Sequence, residues 1–318
     1  MKKIFLALLS ASVLCTSANA ADKIRIGFPD RAAQFIPLPL AEKRGFFQEH
    51  GLQAEFILMN PTVGLAALAS GQIDYYTVIG PAVTAAIRGV PVKVVACYVP
   101  GSPNALIARP EFKSVQELRG KTIGINIFGG TLEVVARLIF KHFGLDPDKE
   151  IKFVSQGTTE TRFAAMKQGL TAATLSAPPQ DFVGKKMGFV VLARAHELFS
   201  YPANGIVATV NKIKERPGEI RRVIEASIKA TRYIRQNREG TIQVMAEWLK
   251  VDREMATATY ASVSKLFNED GGVPEDGLRL MIEEAKKAIK VSGEVPIGQV
   301  ADLSILREAQ GELGIVAR

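Results

Sequence analysis

Asp74-Tyr75-Tyr76-Thr77-Val78-Ile79 is a β-branched and aromatic run that stops at Gly80. Pro81 to Arg88 is then small and apolar up to Gly89, and Val92-Lys93-Val94-Val95-Ala96-Cys97-Tyr98-Val99 is a second β-branched run. The three pieces read as strand, helix and strand. A helix of about ten residues between two strands makes a right-handed crossover, which sets the strands parallel. This reading decides the fold class, α/β, and its rhythm extends in both directions.

Upstream, Lys23-Ile24-Arg25-Ile26-Gly27 alternates polar and apolar as a half-buried first strand. Leu38 to Phe47 reads as a helix closing on Gly51, Gln53 to Leu58 as a strand, and Thr62 to Ala69 as a helix stopped by Gly71. After Pro100-Gly101-Ser102-Pro103 the rhythm restarts. Strands are predicted at 104–108, 121–126, 151–154, 172–175, 188–192 and 205–210, with helices at 131–143 and 161–168. Ser114-Val115-Gln116-Glu117 has the pattern of a capping box opening a short helix. Beyond Asn211 helices follow one another, at 217–237, 241–249, 252–267, 274–289 and 302–313. The first of these sets Ile220, Val223, Ile224, Ser227, Thr231 and Ile234 on one face and Arg221, Glu225, Lys229, Arg232 and Gln236 on the other. The pattern is two largely parallel β/α units and a helical tail that packs back on one of them.

The N-terminus is of a different kind. Lys2 and Lys3 precede an apolar run from Ile4 to Leu14, and Ala18-Asn19-Ala20 closes it. A positive start, a short apolar stretch and an A-x-A site make a secretory signal peptide, too short to span a bilayer. Cleavage after Ala20 is the reading adopted; lipidation at Cys15 is disfavoured by bulky Leu14 before it. The mature chain keeps one cysteine, Cys97, within an apolar run, where a buried thiol is expected. The predicted location is therefore the periplasm.

Composition sets wide bounds. The 318 residues are 47% hydrophobic and 23% charged, which suits a folded protein with two lobes and excludes disorder. The formal charge of +8 falls to +6 once Lys2 and Lys3 leave with the signal, because no acidic residue leaves with them. The remaining basic residues alternate with acidic ones along helices, as at Glu283-Glu284-Ala285-Lys286-Lys287, and no nucleic-acid motif accompanies them. No nucleic-acid partner is expected.

Catalytic and metal patterns are missing. His50, His142 and His196 form no i, i+4 pair, so no metal site and no cofactor are expected. Ser262-Val263-Ser264-Lys265 fits S-x-x-K but lies inside a predicted helix. Gly124-Ile125-Asn126-Ile127-Phe128-Gly129-Gly130-Thr131 has P-loop spacing with Gly130 in place of the lysine, which argues against nucleotide hydrolysis. What is left is a strand, a glycine turn and a helix start whose free N–H groups suit a carboxylate, sulfonate or phosphate. The same segment also reads as a tight turn that needs glycine. Similar junctions recur at Asn60-Pro61-Thr62-Val63-Gly64, Ile79-Gly80-Pro81, Gly157-Thr158-Thr159 and Ser176-Ala177-Pro178-Pro179. Each follows a predicted strand, and open α/β sheets bind ligands at that end.

These segments resemble the NMT1/THI5-like substrate-binding proteins of ABC importers, a group that includes sulfonate-, taurine-, nitrate- and thiamine-precursor-binding proteins. The resemblance runs through Ala41-Glu42-Lys43-Arg44-Gly45-Phe46-Phe47, Ala67-Leu68-Ala69-Ser70-Gly71-Gln72-Ile73-Asp74 and Gly89-Val90-Pro91-Val92-Lys93-Val94-Val95. It continues in Leu118-Arg119-Gly120-Lys121-Thr122-Ile123-Gly124, Gly144-Leu145-Asp146-Pro147, Ala164-Ala165-Met166-Lys167-Gln168-Gly169 and Asp302-Leu303-Ser304-Ile305-Leu306-Arg307-Glu308-Ala309. It implies a type II periplasmic-binding-protein fold: two α/β lobes with a ligand cleft and two crossover segments. One lobe would hold residues 21–103 and 206–318, the other 104–205.

The resemblance further implies a monomeric, non-enzymatic protein that binds a small-molecule ligand and delivers it to an ABC permease and ATPase in the inner membrane. A ligand-sensing subunit and a menaquinone-pathway-like dehydratase of the same fold are the alternatives. Family pocket positions map onto Arg31, Gln34 and Phe35 in the first loop and onto Thr62, Gly64, Gly80, Pro81, Gly129, Gly130, Thr131, Thr158, Thr159 and Ser176. The thiamine-precursor branch carries Trp-x-Pro-Asn in that loop; Pro29-Asp30-Arg31-Ala32 stands here, so a pyrimidine ligand is not supported. Arg31 and the helix starts favour an anion, with a carboxylate, sulfonate or aromatic acid in that order. N-terminal sequencing of the exported protein is expected to begin Ala21-Asp22-Lys23; a lipid-modified Cys15 at the terminus would refute the cleavage site.

Overall fold

The computed structural model describes residues 21–59 and 61–315. The expected signal segment, Cys15 and Asn60 lie outside them. Ten strands form two five-stranded sheets among the described residues. They are β1 (Asp22–Phe28), β2 (Leu52–Leu58), β3 (Tyr75–Val78), β4 (Val92–Val99), β5 (Ala105–Ala108), β6 (Thr122–Ile125), β7 (Lys152–Ser155), β8 (Ala173–Ser176), β9 (Val190–Arg194) and β10 (Asn204–Thr209). The first sheet has the order β2-β1-β3-β10-β4 and the second β7-β6-β8-β5-β9.

The expected parallel pairing is present where helices link the strands. β1 runs parallel to β2, from Asp22 opposite Leu52 to Phe28 opposite Leu58, and parallel to β3. In the second sheet β6 lies parallel to β7 and β8. The sheets are mixed rather than largely parallel, however. β10 is antiparallel to both β3 and β4, and β5 is antiparallel to both β8 and β9. Each is the strand entered just after the chain passes from one sheet to the other, so no returning helix reverses its direction. Because β10 lies between β3 and β4, the strand–helix–strand unit at 74–99 does not pair directly.

Several boundaries differ from the sequence expectation. The helix predicted over 38–47 is two, Pro37–Lys43 and Phe46–Glu49, broken where Gly45 takes φ +77°. The capping box yields one 3-10 turn, Gln116–Leu118, with the Glu117 carboxylate accepting from Lys113 N–H at 2.9 Å. The strand expected at 188–192 lies at Val190–Arg194, and helices Gln180–Lys186 and Val210–Glu215 were not foreseen. Pro274 caps the helix Glu275–Ile289 from outside.

The helical tail completes the first sheet. Helix Pro217–Gln236 buries Ile220, Val223, Ile224 and Ile234 in one cluster with Ile24 and Ile26 of β1, Leu52 of β2 and Val95 of β4. Glu225, expected on the solvent face, is buried as well, with His50 Nδ1 at 3.1 Å. Further ties run under β3: Lys212 Nζ meets Asp74 at 3.0 Å and Glu219 at 2.6 Å, and the Tyr75 hydroxyl donates to Glu219 at 2.8 Å. Ala301 bridges Val94 on the outer edge of β4, and Asp302 N–H donates to Val94 O at 2.9 Å. Cys97 is buried in β4, as expected; its thiol donates to Asn204 O at 3.3 Å, and burial pushes its pKa up.

The two passages between sheets run together. Ala203 N–H donates to Val99 O at 2.9 Å, Tyr201 N–H to Pro100 O at 3.2 Å and Ala195 N–H to Asn104 O at 3.0 Å. A Cβ at Gly205 would lie 2.1 Å from Ala96 O and 2.9 Å from Cys97 Cα, so β10 can occupy its place only with glycine there. Gly205→Ala is expected to lower unfolding free energy by about 3 kcal/mol in urea titration. Gly218→Ala, with open space around it, is expected to change it by less than about 0.5 kcal/mol.

Candidate functional site

The carboxyl ends of the parallel strands carry the candidate residues in both sheets. After β1 the chain makes an Asx turn, with Asp30 Oδ1 accepting from Ala32 N–H at 3.0 Å, and then a 3-10 turn, Ala33–Phe35. Ala32 O accepts from the indole of Trp248 at 3.4 Å, and the Arg31 guanidinium lies 5.3 Å from that ring's centroid. Phe28, Phe35 and Trp248 form one aromatic cluster, with Phe28 centred 6.3 Å from Phe35 and 5.2 Å from Trp248. Phe35 is therefore core rather than an open ligand wall. Arg31 is exposed and held by the indole face. Gln34 is the residue of this loop with an unmet group: its Oε1 is enclosed without a hydrogen-bond partner.

The next two junctions lie beside it in the first sheet. Thr62 falls in the opening turn of helix Pro61–Ala69, which follows β2. Gly64, one turn in, faces Tyr76 of β3, whose Cε2 would be 2.4 Å from a Cβ there. The bare glycine admits the phenol ring, and the Tyr76 hydroxyl behind it has no partner. Burial and then the charge of Asp30 push this phenol up to about 12, so it is a neutral donor. Gly80 and Pro81 open helix Ile79–Ile87 after β3, and a Cβ at Gly80 would meet nothing within 4 Å.

In the second sheet the P-loop-like junction is partly filled by the chain itself. Gly129 takes φ +74°, and its N–H donates to the Glu133 carboxylate at 2.6 Å; Gly130 caps helix Thr131–His142. Arg137 in turn donates to Glu133 at 2.8 Å. The open anion position expected at Gly129, Gly130 and Thr131 is thus shared with an internal carboxylate, because Glu133 sits one turn into the helix and folds back. Beside it the Asn126 Oδ1 is enclosed and unpartnered.

The other two junctions differ. Thr158 caps helix Thr159–Lys167, accepting from Thr161 N–H at 3.3 Å. Ser176 ends β8 and is buried. Between them lies a residue that sequence reading missed, Arg162, 3% exposed. Its Nε donates to Thr174 Oγ1 at 2.9 Å and its terminal nitrogens to Thr159 Oγ1 at 2.9 Å, Leu175 O at 3.3 Å and Gly157 O. An arginine at the fourth position of a helix reads as solvent-facing, and nothing local marks this one as buried. Gln156 Oε1 was likewise missed and is also unpartnered.

Two surface features complete the site. Leu58 and Val63 flank the end of β2, Ile127 and Phe128 follow β6, and all four are at least half exposed. Apolar side chains standing in water beside unmet polar groups are the makings of a small-molecule site. Helix Arg253–Val263 contacts both the Ala33–Phe35 turn and helix Gln180–Lys186, and Lys186 Nζ reaches Glu254 at 2.8 Å. The lobes therefore touch across one side. No group of three or more His, Cys, Asp or Glu among the described residues is arranged to hold a metal ion. No helix among them is long and apolar enough to cross a membrane.

Two mixed α/β sheets joined by two paired crossings define a periplasmic-binding-protein fold of type II. The aliphatic sulphonate binding protein SsuA of Escherichia coli superposes with TM-score 0.72 at 18% identity, over 88% of this chain and 92% of that one. A family model described as NMT1/THI5 like matches residues 32–240, and the chain belongs to that family. A protein of Brucella abortus (strain 2308) named "Putative binding protein BAB2_1146" is 26% identical over 259 residues, 79% of this chain and 80% of its own length. The riboflavin-binding protein RibY of Chloroflexus aurantiacus is 27% identical over 205 residues, 62% of this chain and 57% of its own.

Asp30 offers a check on the cleft. Desolvation holds its carboxyl above the usual range against the pull of Ala32 N–H. A raised carboxyl pKa stabilises the fold at low pH, and that contribution is lost as pH rises through the folded value. Asp30→Asn, which keeps the turn's acceptor, is expected to raise the melting temperature at about pH 7 and to have no effect at about pH 3, where both states are protonated. A lower melting temperature at neutral pH would contradict the placement.

Proposed function

We propose that this protein is the periplasmic solute-binding component of an ABC importer and holds a small organic anion in the cleft between its lobes. The carrying observation is the position of the unmet polar groups. Of the twelve enclosed side-chain atoms without a partner among the described residues, Gln34 Oε1, Asn126 Oδ1 and Gln156 Oε1 follow the ends of β1, β6 and β7, and the Tyr76 hydroxyl reaches from within β3 to the glycine of the helix after β2. Buried polar atoms find partners in nearly every native structure, and exceptions beside strand ends are groups that a bound molecule can satisfy. Side-chain amides present either a donor or an acceptor by turning over, so Gln34, Asn126 and Gln156 can meet acid oxygens.

In this reading the lobes are residues 21–103 with 206–318, and residues 104–205, and they move about the paired crossings near Tyr98–Asn104 and Pro202–Gly205. Thr158, Thr159 and Ser176 add hydroxyls, and Gly80 leaves room for ligand at the start of its helix. The exposed Leu58, Val63, Ile127 and Phe128 favour a solute with an apolar body, of the aromatic-acid or sulfonate type. Arg31 would add a positive charge at the rim. The E. coli sulphonate-binding protein and the Chloroflexus riboflavin-binding protein support this breadth, one ligand being a sulphonate and the other a flat aromatic. The chain would act as a monomer, handing its ligand unchanged to a permease.

The test is a thermal-shift screen of the mature protein against alkane and aryl sulfonates, carboxylates and aromatic acids, followed by calorimetry. Saturable stabilisation of several degrees by at least one class is expected, with the compound recovered chemically intact by mass spectrometry. Absence of stabilisation across all classes would overturn the reading, and turnover of the compound would replace it with an enzymatic one.

A further inference from the structure

Arg162 is a buried cation that makes no hydrogen bond to a charged group. Its four hydrogen-bond acceptors, Thr174 Oγ1, Thr159 Oγ1, Leu175 O and Gly157 O, are neutral. The buried acids of the same lobe are committed elsewhere, Asp181 to Arg194 at 3.0 Å and Glu133 to Arg137 at 2.8 Å. Glu160 lies close enough for its field to reach Arg162, but it is exposed and turns to its own N–H and the Thr158 hydroxyl. Desolvation accordingly lowers the guanidinium's proton affinity without abolishing its charge. Removing an ion from water is costly unless a counter-charge offsets it, and a fold that keeps such a group gains something by it.

What surrounds Arg162 indicates the gain. A Cβ at Gly124 would lie 2.4 Å from Gln156 Oε1 and 3.7 Å from Arg162 Cδ, so the unpartnered amide and the arginine stem share one floor. Thr159 and Ser176 border it, one bonded to the guanidinium and the other one residue beyond Leu175. Thr158 caps the helix that carries Arg162. The positive charge thus underlies a patch of three hydroxyls and one free amide at the carboxyl ends of β7 and β8.

We infer that Arg162 sets the ligand's charge: the anionic group of the solute seats over Thr158, Thr159, Ser176 and Gln156, and the guanidinium beneath supplies its counter-charge. This rests on the anion-binding reading above and assigns the discrimination between an acid and its neutral isostere to the second lobe. Arg162 acts at one remove, through a field that the low-dielectric surroundings leave strong. Its loss should therefore cost affinity for the anion and not for the uncharged analogue. A merely structural arginine would weaken both alike.

The experiment measures wild-type protein, Arg162→Gln and Arg162→Lys against benzenesulfonate, benzenesulfonamide, benzoate and benzamide by calorimetry. Wild type is expected to prefer each acid over its amide by at least about 10-fold. Arg162→Gln should bring that ratio close to one, while Arg162→Lys, which keeps the charge, retains most of it. An acid-to-amide ratio unchanged in Arg162→Gln would overturn the inference and leave the anion-binding reading intact. Failure of the wild type to bind either acid would overturn that reading itself. Should Arg162→Gln not fold, the wild-type arginine Nε–H resonances decide: the one sheltered by Thr174 should move on adding benzenesulfonate, and a resonance that stays fixed while the acid binds contradicts the inference.

Discussion

The chain passes between its two sheets twice, and the two passages are hydrogen-bonded to each other. Val99 O to Ala203 N and Asn104 O to Ala195 N are the bonds that make one strap of two segments. Everything else follows from that constraint. Because the return passage enters the first sheet directly, β10 lies antiparallel between β3 and β4 and must pass within contact of the β4 backbone at Gly205. Because the helical tail begins where β10 ends, its first long helix covers the same sheet and its last turns close the outer edge at Val94. The double strap ties the two sheets together along one side.

Charge is distributed unevenly over those strand ends. Two helix starts of the second lobe have internal carboxylates folded onto them, Glu133 at Gly129 and Glu160 at its own amide. Such carboxylates satisfy free N–H groups and the positive end of the helix when no ligand is present. Arg162, by contrast, donates only to neutral oxygens. The helix start at Gly129 is thus closed by its own acid, whereas at the start of helix Thr159–Lys167 the buried Arg162 lies within the field of Glu160, which is exposed. The balance between lobes therefore places the decisive charge in the second, although the first lobe carries the exposed arginine.

Most of the fold was legible in the sequence, and so was the edge at which ligand chemistry belongs. Strand and helix runs such as Val92–Val99 and Pro217–Gln236 are long and strongly patterned, so their type was plain. The antiparallel strands were not, because a strand's direction depends on how the chain reaches it and its residues carry no mark of that. Individual side chains were harder still. Phe35 is in the core because Trp248, over two hundred residues away, packs against Phe28 and the Ala32 carbonyl. Glu225 reads as a surface charge and nothing local marks Arg162 as buried, since His50 beside the one and Thr174 and Leu175 beside the other come from other elements. Thr159 and Gly64 lie at the expected strand ends, yet one supports Arg162 and the other admits Tyr76, roles that only the assembled sheet defines.

The central claim is that one anionic solute is held by both lobes at once, at the carboxyl ends of their parallel strands. A crystal structure of the mature protein with benzenesulfonate, or a tighter sulfonate or carboxylate from the screen, tests it most directly. The account predicts the acid group within hydrogen-bond distance of Gln156 and the hydroxyls of Thr158, Thr159 or Ser176, with the ligand's body reaching Gln34 or Tyr76 across the cleft. A ligand seated outside the cleft, or held by a single lobe with the acid turned away from Arg162, would contradict it.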